Sequence, residues 1–139
     1  MDKLEESSLS EESFGVLMKS IPYALFMLDT DWNICPQYSE STPRILGCPN
    51  PENYNFLLLM ARVLPRDKTQ QLKRYLENLY SPDFKQTAVR SLNPIQNLTI
   101  SVRTHNPEPK IEKKNISFEF SRIFNTQKTK VLHIIVHAK

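Results

Sequence analysis

Glycine is scarce in this chain: two glycines stand beside ten prolines in 139 residues. A phosphate-binding P-loop and a dinucleotide-binding G-x-G-x-x-G turn both need several glycines, because the backbone must approach the phosphates closely. The sequence therefore disfavours nucleotide cleavage and Rossmann-type dinucleotide binding.

Long apolar runs and a secretion signal are also missing. No stretch approaches the roughly 20 apolar residues that span a bilayer. The chain begins MDKLEESSLSEES, which is acidic and polar, whereas a signal peptide begins with basic and then apolar residues. These features predict a cytoplasmic protein without membrane insertion, in which both cysteines are reduced thiols.

Basic residues are neither in large excess nor clustered. Eighteen Lys and Arg against fifteen Asp and Glu give a net charge of +3, and no run of five basic residues occurs. The densest basic group, Lys110 with Lys113 and Lys114, follows a proline, and we interpret it as a solvated loop. The sequence therefore predicts no nucleic-acid partner. The length predicts one domain with a single core.

Catalytic and metal-binding patterns are not found either. Cys35 and Cys48 form no C-x-x-C pair and have no nearby histidine in sequence to activate a thiolate. His133 and His137 lie on a predicted strand, where four residues separate them by about 13 Å, too far to share a zinc ion. A structural role on the sheet face is favoured for both, with ligand or partner contact as the alternative. The domain is predicted to be non-catalytic.

The N-terminal part divides into two segments ahead of the core. Residues 1–9 are predicted to be disordered, and residues 10–22 to form a flanking helix, followed by the core at 23–139. The helix has one apolar stripe at positions i, i+3, i+4 and i+7, formed by Phe14, Leu17, Met18 and Ile21. A short helix must bury such a stripe, either on its own domain or on a second copy, so these residues are candidate dimer contacts.

The core is predicted to be an α+β domain. Apolar runs and alternation predict strands near 23–28, 33–37, 98–102, 116–121 and 129–138, with helical segments between the second and third. Five antiparallel strands with helices gathered on one face follow from this order. Gly47 is expected to end a small helix that begins near Pro43.

Several motifs resemble those of PAS domains. The stretch LMKSIPYALFMLD, residues 17–29, is similar to the PAS opening of helix, Ile-Pro turn, first strand and terminal Asp. PQYS (36–39), RILG (44–47), LNPI (92–95) and SFEFSRI (117–123) are similar to PAS modules upstream of phosphotransfer and ATPase regions in bacterial histidine kinases. The resemblance covers residues 14–138. One departure is Trp32, which stands where the turn after the first strand usually has glycine.

The resemblance implies a PAS-like fold and a function in signalling. The expected function is that of a sensory or regulatory domain of a bacterial two-component histidine kinase, which senses a small ligand or mediates protein interaction. The alternative is a structural homodimerisation module with a filled core and no ligand. A homodimer and an attached or partner histidine kinase are the implied partners. The candidate ligand-cavity residues are Phe26, Gln37, Tyr38, Phe56 and Phe118.

No cofactor is predicted. The flavin-binding PAS subgroup attaches its cofactor through a cysteine in an N-C-R-F-L-Q-like stretch, and neither cysteine has that context. Haem-binding PAS domains place a histidine ligand in the central helices, but residues 67–92 contain none. Binding of a small organic ligand of unknown identity is the alternative that the sequence leaves open.

Overall fold

The computed structural model describes residues 21–104 and 108–139, with the backbone alone for residues 102–104. Most of the predicted N-terminal helix, including Phe14, Leu17 and Met18, therefore lies outside the described residues, as does the segment at 1–9. In chain order the elements are β1 (Ala24–Leu28), β2 (Ile34–Tyr38), α1 (Thr42–Leu46), a 3₁₀ turn (Pro51–Asn53), α2 (Phe56–Ala61), α3 (Arg66–Leu79), α4 (Gln86–Ser91), β3 (Leu98–Thr104), β4 (Lys110–Ile116), β5 (Phe118–Phe124) and β6 (Val131–Ala138).

Four strands form an antiparallel sheet in the order β2-β1-β6-β5, with one face buried. Alternate residues of β1 and β6 point to opposite faces. Phe26 lies opposite Val136 in the register, and both are at most 1% exposed. Their neighbours Leu25 and Ile135 lie on the other face and are half-buried. The helices pack on the buried face, which confirms the predicted α+β class.

Helix α3 contributes the apolar stripe that its sequence predicts. Leu72, Tyr75, Leu76 and Leu79 are all at most 4% exposed, while the residues between them face solvent. Pro65 stands just before the helix and Asp67 lies in its first turn, where a carboxylate meets the positive end of the helix dipole. The side chains of this stripe are therefore part of the hydrophobic core.

Helix α1 also ends as its sequence predicts. Gly47 has φ = 72°, the left-handed conformation that glycine adopts at little cost, and its N–H donates to the carbonyl of Pro43. Ser41 precedes the helix, but its hydroxyl donates to the carbonyl of Ile21 at 2.9 Å instead of capping the helix. Ile21, one of the candidate dimer contacts, is itself 7% exposed.

The segment predicted as a solvated loop is a strand. Lys110–Ile116 forms β4 and pairs with β3 from Leu98 opposite Ile116 to Thr104 opposite Lys110. This two-stranded ribbon is separate from the four-stranded sheet, so the predicted five-stranded sheet is divided in two. The loop prediction was wrong because every β4 residue before Ile116 is exposed, and an exposed strand carries no apolar alternation.

Trp32 takes the backbone conformation that glycine would have supplied in the turn from β1 to β2. Its φ is 65°, in the left-handed region, and its N–H donates to the carbonyl of Asp29 at 3.1 Å. The Asp29 carboxylate accepts from the N–H groups of Asp31 and Asn33, both at 2.9 Å. The Tyr80 hydroxyl donates to the carbonyls of Leu28 and Asp29. These bonds hold the turn without glycine.

Candidate functional site

Three of the five predicted cavity residues meet in the core. The ring centroid of Phe56 lies 5.7 Å from that of Phe26 and 5.9 Å from that of Phe118. All three side chains are at most 1% exposed. The strands β1 and β5 bring Phe26 and Phe118 to the inner face of the sheet, and α2 places Phe56 over them. The predicted residues are therefore in contact, with their rings packed on one another.

Two further aromatic residues extend this cluster. Phe120 lies 6.2 Å from Phe56, and Tyr75 lies 5.4 Å from Phe120, both in edge-to-face arrangements. Tyr75 belongs to the buried stripe of α3 and is not among the predicted cavity residues, because helical spacing indicates that a residue is buried without indicating what it faces. Its hydroxyl donates to the Val89 carbonyl, and burial raises the pKa of the phenol. We call Phe26, Phe56, Tyr75, Phe118 and Phe120 the aromatic cluster.

Gln37 and Tyr38 do not join the aromatic cluster. Gln37 is exposed on the edge strand β2, and Tyr38 is half-buried there. The Tyr38 hydroxyl donates to Oε2 of Glu52 at 2.5 Å. This hydrogen bond, followed by burial, raises the pKa of Tyr38 to about 12. The pair ties β2 to the 3₁₀ turn.

The described surface has grooves, one of which includes Phe120 of the aromatic cluster. Three grooves have volumes of about 610, 580 and 370 Å³, and none of their linings contains Phe26, Phe56 or Phe118. The first lies beside Tyr23 and includes the cations Arg44, Lys114 and Lys139. The second, which we call the β5 groove, lies between α4 and the edge of β5.

The cysteines lack the environment of a nucleophile. Burial is the main cause that raises the pKa of both the Cys35 and the Cys48 thiols, whereas a reactive cysteine needs a lowered pKa. Within residues 21–104 and 108–139, no three His, Cys, Asp or Glu side chains come close enough to hold a metal ion. In the same ranges no helix is both long and apolar enough to cross a membrane.

The histidines of β6 lie on the outer face of the sheet. The ring of His137 lies 4.1 Å from that of Tyr23, and its Nδ1 is 3.8 Å from a carboxylate oxygen of Glu119. Burial, followed by the charge of Lys139, lowers the pKa of His137. The imidazole is therefore held mainly neutral at neutral pH, as part of the sheet surface.

Two solved structures align with nearly the whole chain at low sequence identity. No family model and no curated protein matches it. A PAS domain from a two-component sensor histidine kinase aligns over 96% of this chain and 97% of its own length, with 14% identity and a TM-score of 0.45. A sensory box sensor histidine kinase from Vibrio cholerae aligns over 99% and 96%, with 14% identity and a TM-score of 0.44. At these identities and TM-scores, neither alignment locates a site in this chain.

Proposed function

We propose that this chain is a non-catalytic, PAS-type regulatory domain of a cytoplasmic signal-transduction histidine kinase. We propose further that it acts through protein contacts and holds no small ligand in its core. The signalling context rests on the sequence motifs. One observation favours protein contacts over ligand sensing, and it is the aromatic cluster. Its rings occupy the interior between the sheet and α2, with centroid distances of 5.4–6.2 Å.

A thermal-shift screen of the full chain distinguishes a domain that senses a small ligand from one that acts through protein contacts alone. A ligand present at about 100 times its Kd stabilises a protein by about 2.7 kcal/mol, which raises Tm by several degrees. A filled core predicts no such rise with aromatic acids, nucleobases or other small metabolites. A reproducible rise of several degrees, abolished by a Phe56→Tyr substitution that reduces the interior space, would instead establish the ligand-sensing mode.

Self-association is the protein contact that the sequence suggests first. If the stripe at 10–22 mediates a homodimer, Leu17→Glu shifts the sedimentation-equilibrium mass from dimer toward monomer. Leu58→Glu is the matched control, because Leu58 is an apolar side chain that is already 67% exposed on α2. A monomeric wild-type chain at about 100 μM, or an equal effect of both substitutions, contradicts this contact.

A further inference from the structure

The outer edge of β5 has main-chain groups that none of the described strands covers. Ser117 and Lys139 exchange two hydrogen bonds, at 3.0 and 3.1 Å. In an antiparallel ladder such bonded pairs recur at every second residue, so Glu119 and Ser121 also turn their N–H and C=O groups toward β6. The N–H and C=O groups of the alternate residues, Phe118, Phe120 and Arg122, therefore point away from β6.

Within the part of the chain that the structure describes, only the first of these three alternate residues has partners on that side. The Phe118 N–H donates to the Ile95 carbonyl at 3.3 Å, and its carbonyl accepts from Nδ2 of Asn93 at 2.6 Å. Among the described residues, the outward N–H and C=O groups of Phe120 and Arg122 have no hydrogen-bond partner. Two donors and two acceptors are thus available on one strand edge.

The two edges of the sheet differ in how they are protected. The opposite edge strand, β2, contains the exposed Pro36, which has no N–H to offer and blocks strand pairing. Strand β5, with the sequence FEFSRIF, has no proline. The β5 edge is therefore the one of the two that can accept another strand.

The open edge forms part of the β5 groove, which has a volume of about 580 Å³. Helix α4 forms the opposite wall with Val89 and Arg90, and β5 contributes Phe120 and Ser121. An open strand edge beside a helix is the arrangement in which extended peptides bind by strand addition, with main-chain bonds supplying affinity and neighbouring side chains supplying specificity. The shape of the groove therefore fits an extended peptide.

Two cations lie near the α4 side of the groove: Arg90 lines it, and Arg122 of β5 contacts the lining residue Gln86. The carboxylate of Glu119 also lines the groove, but on the outer face of the sheet beside His137. The Arg122 guanidinium donates to the Ser81 carbonyl at 3.1 Å and to the Gln86 amide oxygen at 3.3 Å, while its Nε is buried without a partner. No carboxylate of the described residues pairs with it. Arg90 adds a second, exposed cation on α4. An acidic side chain that faces α4 would complement both cations.

We propose that the β5 groove binds an extended acidic peptide segment of a partner protein, which adds as a strand to β5 through the main chain of Phe120 and Arg122. This docking site depends on the open edge and not on the filled core, so its test is independent of the thermal-shift screen above.

The test is amide hydrogen exchange and NMR titration of the full chain with the peptide acetyl-Thr-Val-Glu-Val-Thr-amide. In the free chain, the amides of Phe120 and Arg122 are expected to exchange at least tenfold faster than those of Glu119 and Ser121. The peptide should slow both fast amides and shift their resonances. N-methylation of alternate peptide nitrogens, which removes main-chain donors, should weaken binding about tenfold or more.

Charge variants test the acidic preference. Replacement of the peptide Glu by Lys, and Arg90→Gln in the protein, should each weaken binding several-fold. Arg74→Gln, on the exposed face of α3, is the matched control and should leave it unchanged. The proposal is overturned if the amides of Phe120 and Arg122 are already protected in the free chain, which would place the chain's own residues or a second copy on the edge. Equal binding of the Lys peptide, or no binding of the Glu peptide at about 1 mM, overturns it as well.

Discussion

The side-chain oxygens of Ser39 and Thr42 lie 2.8 Å apart, and both residues are fully buried. The Ser39 hydroxyl donates to the Tyr23 carbonyl at 2.8 Å and accepts from the Leu25 N–H at 2.9 Å. Because its one proton goes to Tyr23, Thr42 is the donor within the hydroxyl pair. These bonds join the start of α1 to the first strand.

Ser39→Ala is expected to destabilise the domain by about 1–3 kcal/mol, because it removes the buried hydroxyl that bonds to the partly buried Leu25 N–H and Tyr23 carbonyl. Urea unfolding measures this change. Ser41→Ala is the control: it removes one hydroxyl that is half-buried and bonded to a single carbonyl, and should cost about 1 kcal/mol or less. Equal losses in the two variants would contradict the role of the buried pair.

Phe56→Ala should cost about 3–5 kcal/mol of unfolding free energy, because the ring lies at the centre of the aromatic cluster and leaves a cavity. Phe84→Ala is the matched control, since Phe84 is half-buried and its ring centroid lies 6.3 Å from that of Tyr75 at the margin of the cluster. Phe84→Ala should lower the free energy of unfolding by clearly less than Phe56→Ala. If the Phe56→Ala chain folds, benzene should raise its Tm but not that of the wild type. A benzene response in the wild type would show that the core is not filled.

Tyr38 should ionise late in an alkaline titration followed by ultraviolet absorbance. The hydrogen bond to Glu52 raises the pKa of Tyr38 to about 12. Since the folded-state pKa lies above the ordinary value near 10, the stabilisation that the protonated phenol provides is complete below about pH 10 and is lost as the pH rises toward 12. Glu52→Gln should move this ionisation back toward pH 10. An unchanged titration in that variant would exclude Glu52 as the cause.

Lys128→Gly should stabilise the domain by about 0.5 kcal/mol. Lys128 has φ = 58° in the exposed turn between β5 and β6, a conformation that costs a side-chain-bearing residue about 1 kcal/mol. The greater freedom of glycine in the unfolded chain offsets part of this gain. Thr126→Gly, in the same turn but without positive φ, should instead destabilise the domain. Thermal unfolding of both variants measures these changes in stability. A change in the same direction in both variants would contradict the explanation.

Burial made most of the fold predictable from the sequence. The stripe of α3 and the buried strands β1 and β6 carry apolar periodicity that matches the structure. Gly47 marked the end of α1 because few residues accept its φ. Strand β4 had no such pattern, since main-chain pairing with β3 defines it and its side chains are exposed.

The candidate site was predictable only in part, because local sequence patterns do not show which distant segments become neighbours. The resemblance implied Phe26, Phe56 and Phe118 as cavity residues; the structure shows that they are buried and that Phe56 packs on the other two, and the cavity itself stays a prediction. Neither the bond from Tyr38 to Glu52 nor the open edge at Phe120 can be read from local sequence, because both depend on which distant segments become neighbours.

A single residue, Ser117, separates β4 from β5, so one extended segment belongs to both the ribbon and the sheet. Its N–H and C=O are both held by Lys139, directly after β6. The two bonds therefore anchor the junction between β4 and β5 beside the end of β6, so the ribbon leaves the sheet at a fixed point.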